Sequence, residues 1–437
     1  MQIKRIAVDG YRNLSKTILD VNHVTGIIAV NNYGKSNFID AVDFAQDFIK
    51  NPPKIKDNMM RSQPRIPINK KTANKNFFYL IEYLTEFDST MFNVSYSFSF
   101  DWIKKGTKRG RIISEELKIK NNEKAKFKTY FKRNKGIANY LSSVTGRCNT
   151  KLDINENELV LNKLSNYDSL FYLNIIKELD DLRFDFNSFI ETDRAFRTKN
   201  INIDESIPSL YDLDHIDGSN ICEVVYQLMK HEPQRYELLI NSYKSLITEI
   251  EDIKPIEINI KEEFDDKELQ DIHVPFEIPE KIYDIRIKET QNNQVTSINM
   301  LSYGSRRIFI LFTSAVLADI KKIPLVFYEE LENSIHPRLF QQLLIILSEI
   351  LSDTKIVITS HSPYLIQYLD LKNIYIGVPN NDKVAKFRKL KKGAISTISK
   401  NVSEDEISLG DYIFSMLSEV YYDPESEFLE LLEDINE

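Results

Sequence analysis

An α/β fold is predicted for this chain by three apolar strands, each ending in residues that carry chemistry. The first, Gly26-Ile27-Ile28-Ala29-Val30, runs into Asn31-Asn32-Tyr33-Gly34-Lys35-Ser36-Asn37. The pattern then changes to helical spacing at Phe38, Ala41, Val42, Ala45, Phe48 and Ile49, and Pro52-Pro53 ends the run. The second, Leu325-Val326-Phe327-Tyr328, ends in two adjacent carboxylates, Glu329 and Glu330. The third, Ile356-Val357-Ile358-Thr359, ends in Ser360-His361. Open α/β sheets bind ligands outside the carboxyl ends of their strands, so these three endings are the first place to look for function.

At 437 residues and 42% hydrophobic, the chain is long enough for several domains or for one large domain with an insertion. Two cysteines, Cys148 and Cys222, lack metal-ligand spacing and favour a reducing, cytoplasmic setting over a disulfide framework. No apolar run approaches the roughly 20 residues of a membrane span, and Met1-Gln2-Ile3-Lys4-Arg5 leads straight into a strand pattern rather than a signal peptide. The net charge of -8 hides a separation of signs. Residues 101–136 are rich in Lys and Arg, from Lys104 to Lys135, whereas no Lys or Arg follows Lys400. The acidic tail supplies much of the negative balance, which leaves the basic stretch as a candidate for phosphates.

Taken in order, Ile3, Ile6 and Val8, then Ile18-Leu19-Asp20-Val21, read as two short strands joined by a turn. Phe92, Val94, Tyr96, Phe98, Phe100 and Trp102 alternate with polar residues, the mark of a half-buried strand. That strand runs into a basic tip at 104–111 and a second strand-like run, Ile112 to Ile119, which predicts a hairpin. From about Phe127 to Ile250 the spacing is mainly helical, clearest over Ser169 to Arg183 and Asn220 to Ile250. Strand-like Ile256 to Ile260 and Ile282 to Ile287 return the chain to a sheet. The expected domains are an N-terminal lobe over 1–125, a mainly helical insertion over 126–250, a C-terminal lobe over 251–400 and an acidic helical tail over 401–437.

Gly34-Lys35-Ser36 completes the pattern G-x-x-x-x-G-K-[ST]. In that motif backbone amides and a helix N-terminus cradle phosphates, the Lys meets the β and γ phosphates of ATP, and the hydroxyl holds Mg²⁺. The start departs from it: Ala29 stands where the first glycine belongs, and Tyr33 where a small residue is usual. Glu329 is assigned to the metal through its water shell and Glu330 to polarising the attacking water. Read singly, two such residues are more commonly just solvated glutamates at a strand end. His361 is placed to reach the γ-phosphate, or else is a hydrogen-bonded structural residue. Leu301-Ser302-Tyr303-Gly304-Ser305 precedes an apolar helix, where Ser302 is either an anion site or a plain N-cap.

These four stretches resemble the Walker A, signature, Walker B and switch-histidine motifs of ABC-type ATPases, in the branch similar to SMC, RecF and OLD heads. Tyr11-Arg12 and Glu332-Asn333-Ser334-Ile335-His336-Pro337 are similar to that branch as well. The resemblance covers roughly residues 1–50 and 295–380, and no counterpart of the family's Q-loop glutamine is carried over. It implies a P-loop NTPase fold, an ABC/SMC-like head with a mixed central sheet and an antiparallel N-terminal lobe. It also implies that Arg12 approaches the nucleotide and that residues 332–334 touch a partner head. Two heads would sandwich two ATP molecules, Ser302 and Gly304 of one closing over the phosphates held by Lys35 and Ser36 of the other. The family normally has Asp at the position of Glu329; the extra methylene moves the carboxylate by about 1.5 Å, which implies slow turnover or ATP used as a switch.

The functional expectation is an ATPase subunit of a prokaryotic antiviral system, similar to Septu or PARIS ATPases, that forms a homodimer or higher homo-oligomer and controls a separate nuclease or toxin. The globular insertion supports it, and the stretch after His361 is expected to be too short for a nuclease domain of the OLD type. The alternatives are a RecF-like DNA-repair ATPase, with nucleic acid at the basic hairpin 101–136, and an ATP-binding scaffold without turnover. For the basic hairpin the competing explanation is a solvated edge protected by lysines. A transporter ATPase fits less well, given the size of the insertion.

Overall fold

The computed structural model describes residues 1–104, 110–121, 124–144, 146–187, 196, 221–259, 281–291, 294–378, 382–404, 407–422 and 426–433. They form two compact units. One comprises Met1–Phe186, Pro324–Glu330 and Asp353–Glu437; the other comprises Asn187–Ile323 and Leu331–Ser352.

The first unit holds two sheets. Its eight-stranded sheet has the order β2-β1-β4-β5-β6-β7-β8-β9 and is antiparallel at every pairing. The strands are β1 (Gln2–Asp9), β2 (Thr17–Asp20), β4 (Phe77–Phe87), β5 (Thr90–Phe100), β6 (Ile112–Lys120), β7 (Lys128–Asn134), β8 (Ile137–Leu141) and β9 (Cys148–Leu152). In β5, Val94, Tyr96, Phe98 and Phe100 are buried while the serines between them are not, as its alternation predicts. The six-stranded sheet runs β10 (Asp185–Asn187), β14 (Leu325–Glu329), β15 (Lys355–Ser360), β3 (Val24–Ala29), β16 (Ile374–Gly377), β17 (Phe387–Arg388). Strands β14, β15, β3 and β16 are parallel, and the apolar character of their sequences reflects burial on both faces.

Helix α1 (Lys35–Lys50) follows β3 and carries the aromatic contacts that fasten it to the antiparallel sheet. Phe48 stacks on Phe100 and Phe98 at 4.7 and 5.3 Å, and Phe44 meets Phe77 edge-on at 5.1 Å. Pairs of this kind add about 0.5–1.5 kcal/mol each beyond their area burial. From α2 (Pro53–Met60), the buried Lys56 donates to Ile49 O at 3.2 Å and to Asn162 Oδ1 at 2.6 Å, satisfying a cation whose pKa burial pushes down to about 8. The same C-terminal end of α1 also receives Asn162 Nδ2 on Ile49 O at 3.0 Å.

One expectation is corrected here. Residues 128–152, read as part of a helical insertion, are strands β7, β8 and β9 of the large sheet. The reason lies in the ladder: Leu117 pairs with Phe131 but Lys118 with Thr129, so Tyr130 is an extra residue. This bulge buries Tyr130 and Phe131 in succession and erases the period-two signal that identifies a strand. A second register shift, at Tyr140/Leu141, leaves Asn149 as an extra residue in the short strand β9. Helical structure begins only at α3 (Val160–Leu164) and α4 (Leu173–Asp180).

The basic stretch is partly neutralised within the fold. Arg111 pairs with Asp101 at 2.9 Å, Lys118 with Glu116 at 2.6 Å, and Arg133 is buried on the carbonyls of Asn155, Glu158 and Lys135. Of the expected basic tip at 104–111, residues 105–109 lie outside the described residues. Toward the C-terminus, the helices Lys392–Glu404 and Leu409–Tyr422 bury Ile398, Ile413, Leu417 and Val420. Of the acidic tail, Asp405, Glu406 and residues 423–425 and 434–437 lie outside the described residues.

The second unit contains a three-stranded antiparallel sheet of β11 (Ile250–Asn259), β12 (Lys281–Glu289) and β13 (Val295–Ser297). Its helices are Ile221–His231, Pro233–Leu246, Tyr303–Ile320 and Pro337–Ile350. Tyr243 locks two of them together, its ring edge-on to Phe309 at 5.1 Å and its hydroxyl donating to Ser305 O at 3.2 Å. Among the described residues, no helix is long and apolar enough to cross a membrane.

Glu115 yields a test of the first unit's polar core. Its fully buried carboxylate accepts from Val160 N at 2.6 Å, Leu161 N at 2.9 Å and Tyr96 OH at 3.1 Å, capping the first turn of α3 from strand β6. Burial nevertheless pushes its pKa from 4.5 up to about 7. The folded state therefore keeps a proton that the unfolded chain has released. The resulting stabilisation is fully present below pH 4.5 and is lost as pH rises through 7. Urea midpoints at pH 5 and pH 8 should fall less for Glu115→Gln than for the natural chain, and Glu115→Ala, which orphans two amides, should cost about 1–3 kcal/mol.

Candidate nucleotide site

Parallel register brings the three sequence-predicted endings to one edge of the six-stranded sheet. Glu329 pairs with Thr359, Thr359 with Ile27, and Ser360 with Ile28. The loop leaving β3, the carboxylates leaving β14 and the Ser360-His361 pair leaving β15 are thereby neighbours.

The loop from Val30 to Gly34 turns through two unusual backbone conformations, Asn32 at φ 58° and Gly34 at φ 131°. Gly34 has no room for a side chain, since a Cβ there would lie 2.7 Å from Ala385 Cβ and 3.0 Å from Asn13 Oδ1. It is also the N-cap of α1, which has no side-chain cap and no acidic residue in its first turn. The N-terminal turn of α1, with its helix dipole and without a side-chain cap or acidic residue, therefore suits an anion. Lys35 is buried and folds its ammonium back onto the loop, donating to Ala29 O at 2.8 Å and Val30 O at 3.1 Å. Asn31 and Asn32 are exposed at the rim.

The Ser36 hydroxyl donates directly to the Glu329 carboxylate, joining the end of the loop to the end of β14. Among the described residues no cluster of three or more His, Cys, Asp or Glu side chains is built to hold a metal alone. A hydroxyl and a single carboxylate, beside a phosphate loop, do suit Mg²⁺, which keeps waters and takes substrate phosphate oxygens to complete its shell. Glu330 sits at φ 47° with its amide on Thr359 O at 3.0 Å, and its carboxylate faces His361 Nδ1 at 3.4 Å. Both side chains are about one-third exposed, 36% each, so water reaches the pair. Ser360 Oγ accepts from Ser362 N at 2.9 Å, turning the chain sharply at His361.

Arg12 is held against α1 rather than standing alone, with Nη1 at 2.7 Å from Asn37 Oδ1 and 2.5 Å from Asp40 Oδ2. Sequence reasoning missed Asn13. It accepts from Asn37 Nδ2 at 2.7 Å and donates to Tyr33 O at 2.9 Å, bracing the loop from the β1–β2 turn. Asn13 adjoins the Tyr11-Arg12 pair that was singled out, but nothing in its local pattern marks it.

In the second unit, Ser302 is the N-cap of the helix Tyr303–Ile320, its hydroxyl accepting from Ser305 N at 3.2 Å. Leu301 and Tyr303 flank it, partly buried. Gly304 is required: a Cβ there would lie 2.5 Å from Ser334 O, and Ser334 itself adopts φ 64°. The 332–334 segment thus rests against the first turn that Ser302 caps.

The fold is that of an SMC-type ATPase head. The crystal structure of an SmcHead bound to the C-winged helix domain of ScpA matches 91% of this chain and 100% of its own, at 12% identity and a TM-score of 0.50. A Smc head domain with an extended coiled coil, bound to the C-terminal domain of ScpA derived from Pyrococcus furiosus, matches 92% and 99% at 11% identity, TM-score 0.48. The SMC head domain from Thermotoga maritima matches 90% and 100% at 11% identity, TM-score 0.43. At such identities the likeness is one of fold. The sequence matches none of the curated proteins. A family profile does match, over residues 24–367, a span that runs from the strand before the phosphate loop to the helix after His361. The chain is an ATPase of the family described as "AAA domain, putative AbiEii toxin, Type IV TA system".

Proposed function

We propose that this chain is a slowly cycling, ATP-hydrolysing subunit that pairs with a second copy through bound ATP and so controls a separate effector in prokaryotic antiviral defence. The observation that carries the ATP chemistry is the junction of Ser36 with Glu329, together with Lys35 folded into the loop, because it unites a phosphate cradle with an oxygen donor set for Mg²⁺. The family's description as a putative toxin of a type IV toxin–antitoxin system supports the defence setting. The matched SmcHead binds a separate protein, the winged-helix domain of ScpA, which supports docking of a partner on a head of this fold.

In this reading Lys35 exchanges its carbonyl partners for the β and γ phosphates, while the first amides of α1 hold their oxygens. Ser36 and Glu329 would hold Mg²⁺, whose charge would offset that of the phosphate oxygens. Glu330 takes a proton from the water that attacks the γ-phosphorus, as the bond to the β–γ bridging oxygen breaks and ADP leaves with that oxygen. His361, with Nδ1 toward the Glu330 carboxylate, keeps it oriented. Arg12, tied to Asn37 and Asp40, adds positive charge beside the loop. The Ser302 turn of the second copy closes over the triphosphate, and Gly304 lets that turn seat on Ser334. Glu329, one methylene longer than the family's usual Asp, makes turnover slow.

Lys35→Ala should abolish ATP binding in equilibrium titration. Glu330→Gln should retain ATP yet lose turnover by about 10²–10⁴-fold. Mass photometry should show that Glu330→Gln accumulates as pairs with ATP and that Gly304→Ala stays single; pairing that ignores ATP would sink the sandwich. Glu329→Asp should lower the Mg²⁺ concentration needed for half-maximal turnover. A neighbouring gene encoding a nuclease or toxin supports the defence role, whereas replication genes there would overturn it.

A further inference from the structure

We propose that Tyr33 is a positioning residue that holds the phosphate loop in its binding shape by clamping it to the β16–β17 hairpin. The inference rests on the reading of this loop as an ATP site. At the position of Tyr33 the resemblance leads one to expect a small side chain, yet the ring is buried, 8% exposed. Its hydroxyl meets one residue of the hairpin twice, donating to Lys386 O at 2.9 Å and accepting from Lys386 N at 3.1 Å. The ring packs edge-on against Phe387 at 5.5 Å.

The neighbouring strand has been cleared to admit it. A Cβ on Gly377 would lie 2.5 Å from Tyr33 Cδ1 and Cε1, and 2.7 Å from Ala29 Cβ. Gly377 is also the register partner of Ala29 across β16 and β3. The glycine missing from the start of the motif therefore stands opposite, on the adjacent strand, and its absent side chain makes space for both departures, Ala29 and Tyr33. The hairpin end of the clamp is itself fixed. Ala385 N donates to Asn13 O at 2.9 Å, and Lys391 N to Leu431 O at 2.8 Å. Since Tyr33 lies between the two positive-φ residues that shape the loop, Asn32 and Gly34, releasing its side chain frees the very turn that aims the amides.

Tyr33→Phe keeps the ring and deletes the clamp; Gly377→Ala attacks it from the hairpin without altering the loop's own residues. Both should raise the Kd for Mg·ATP by about five- to tenfold, the loss expected for a buried hydrogen-bonded pair. The KM should rise more than kcat falls, and amide exchange at Tyr33–Lys35 should quicken in the nucleotide-free variants. A Tyr33→Phe protein with natural Kd and unchanged exchange in the loop would overturn the clamp while leaving the ATP site standing. A natural chain that binds no ATP overturns the site reading and the clamp with it.

Discussion

The parallel pairing of β14, β15, β3 and β16 is the constraint on which the site depends. A one-residue slip of β14 against β15 would turn Glu329 to the opposite face and break its junction with Ser36. All four strands are buried, so their register is set by packing on both faces rather than by a solvent boundary. The chemistry is thus mounted on strands buried on both faces, while the reacting groups stand on the short turns just beyond them.

Helix α1 serves both sheets of that unit. Its N-terminus lies at the phosphate loop without a side-chain cap, and its middle buries Phe44 and Phe48 among the aromatics of the antiparallel sheet. Its C-terminal carbonyl at Ile49 is gripped by Lys56 and Asn162. A displacement at the loop end would be resisted along the whole helix. The antiparallel sheet is therefore a structural support for the loop, and its buried Glu115 and Arg133 are satisfied polar groups within that support.

Glu330 at φ 47° and Ser334 at φ 64° are left-handed residues without glycine's freedom, bracketing the turn that follows β14. Such conformations cost about 1–3 kcal/mol each and persist where neighbouring structure imposes them. Here the Glu330 amide is held by Thr359 and the Ser334 carbonyl by the close approach of Gly304. Tyr33 and Gly377 are a comparable exchange between neighbouring strands, in which a bulky residue enters the loop because the adjacent strand has given up its side chain.

The sequence by itself determined the strand–loop–helix at Gly26–Ile49, the paired carboxylates after Tyr328, the Ser360-His361 ending and the alternation of β5. Each is written in the period of a contiguous run, and burial of one face requires that period. Tertiary structure decided the rest. It brought Ser36 to Glu329 across 293 residues, placed Asn13 under the loop, and gave Tyr33 its partner in Lys386. It also made strands of residues 128–152, where a bulge in β7 scrambles the alternation and β8 and β9 are only five residues each. Those outcomes depend on which strands lie side by side and in what register, a property of pairs of distant segments that no local periodicity records.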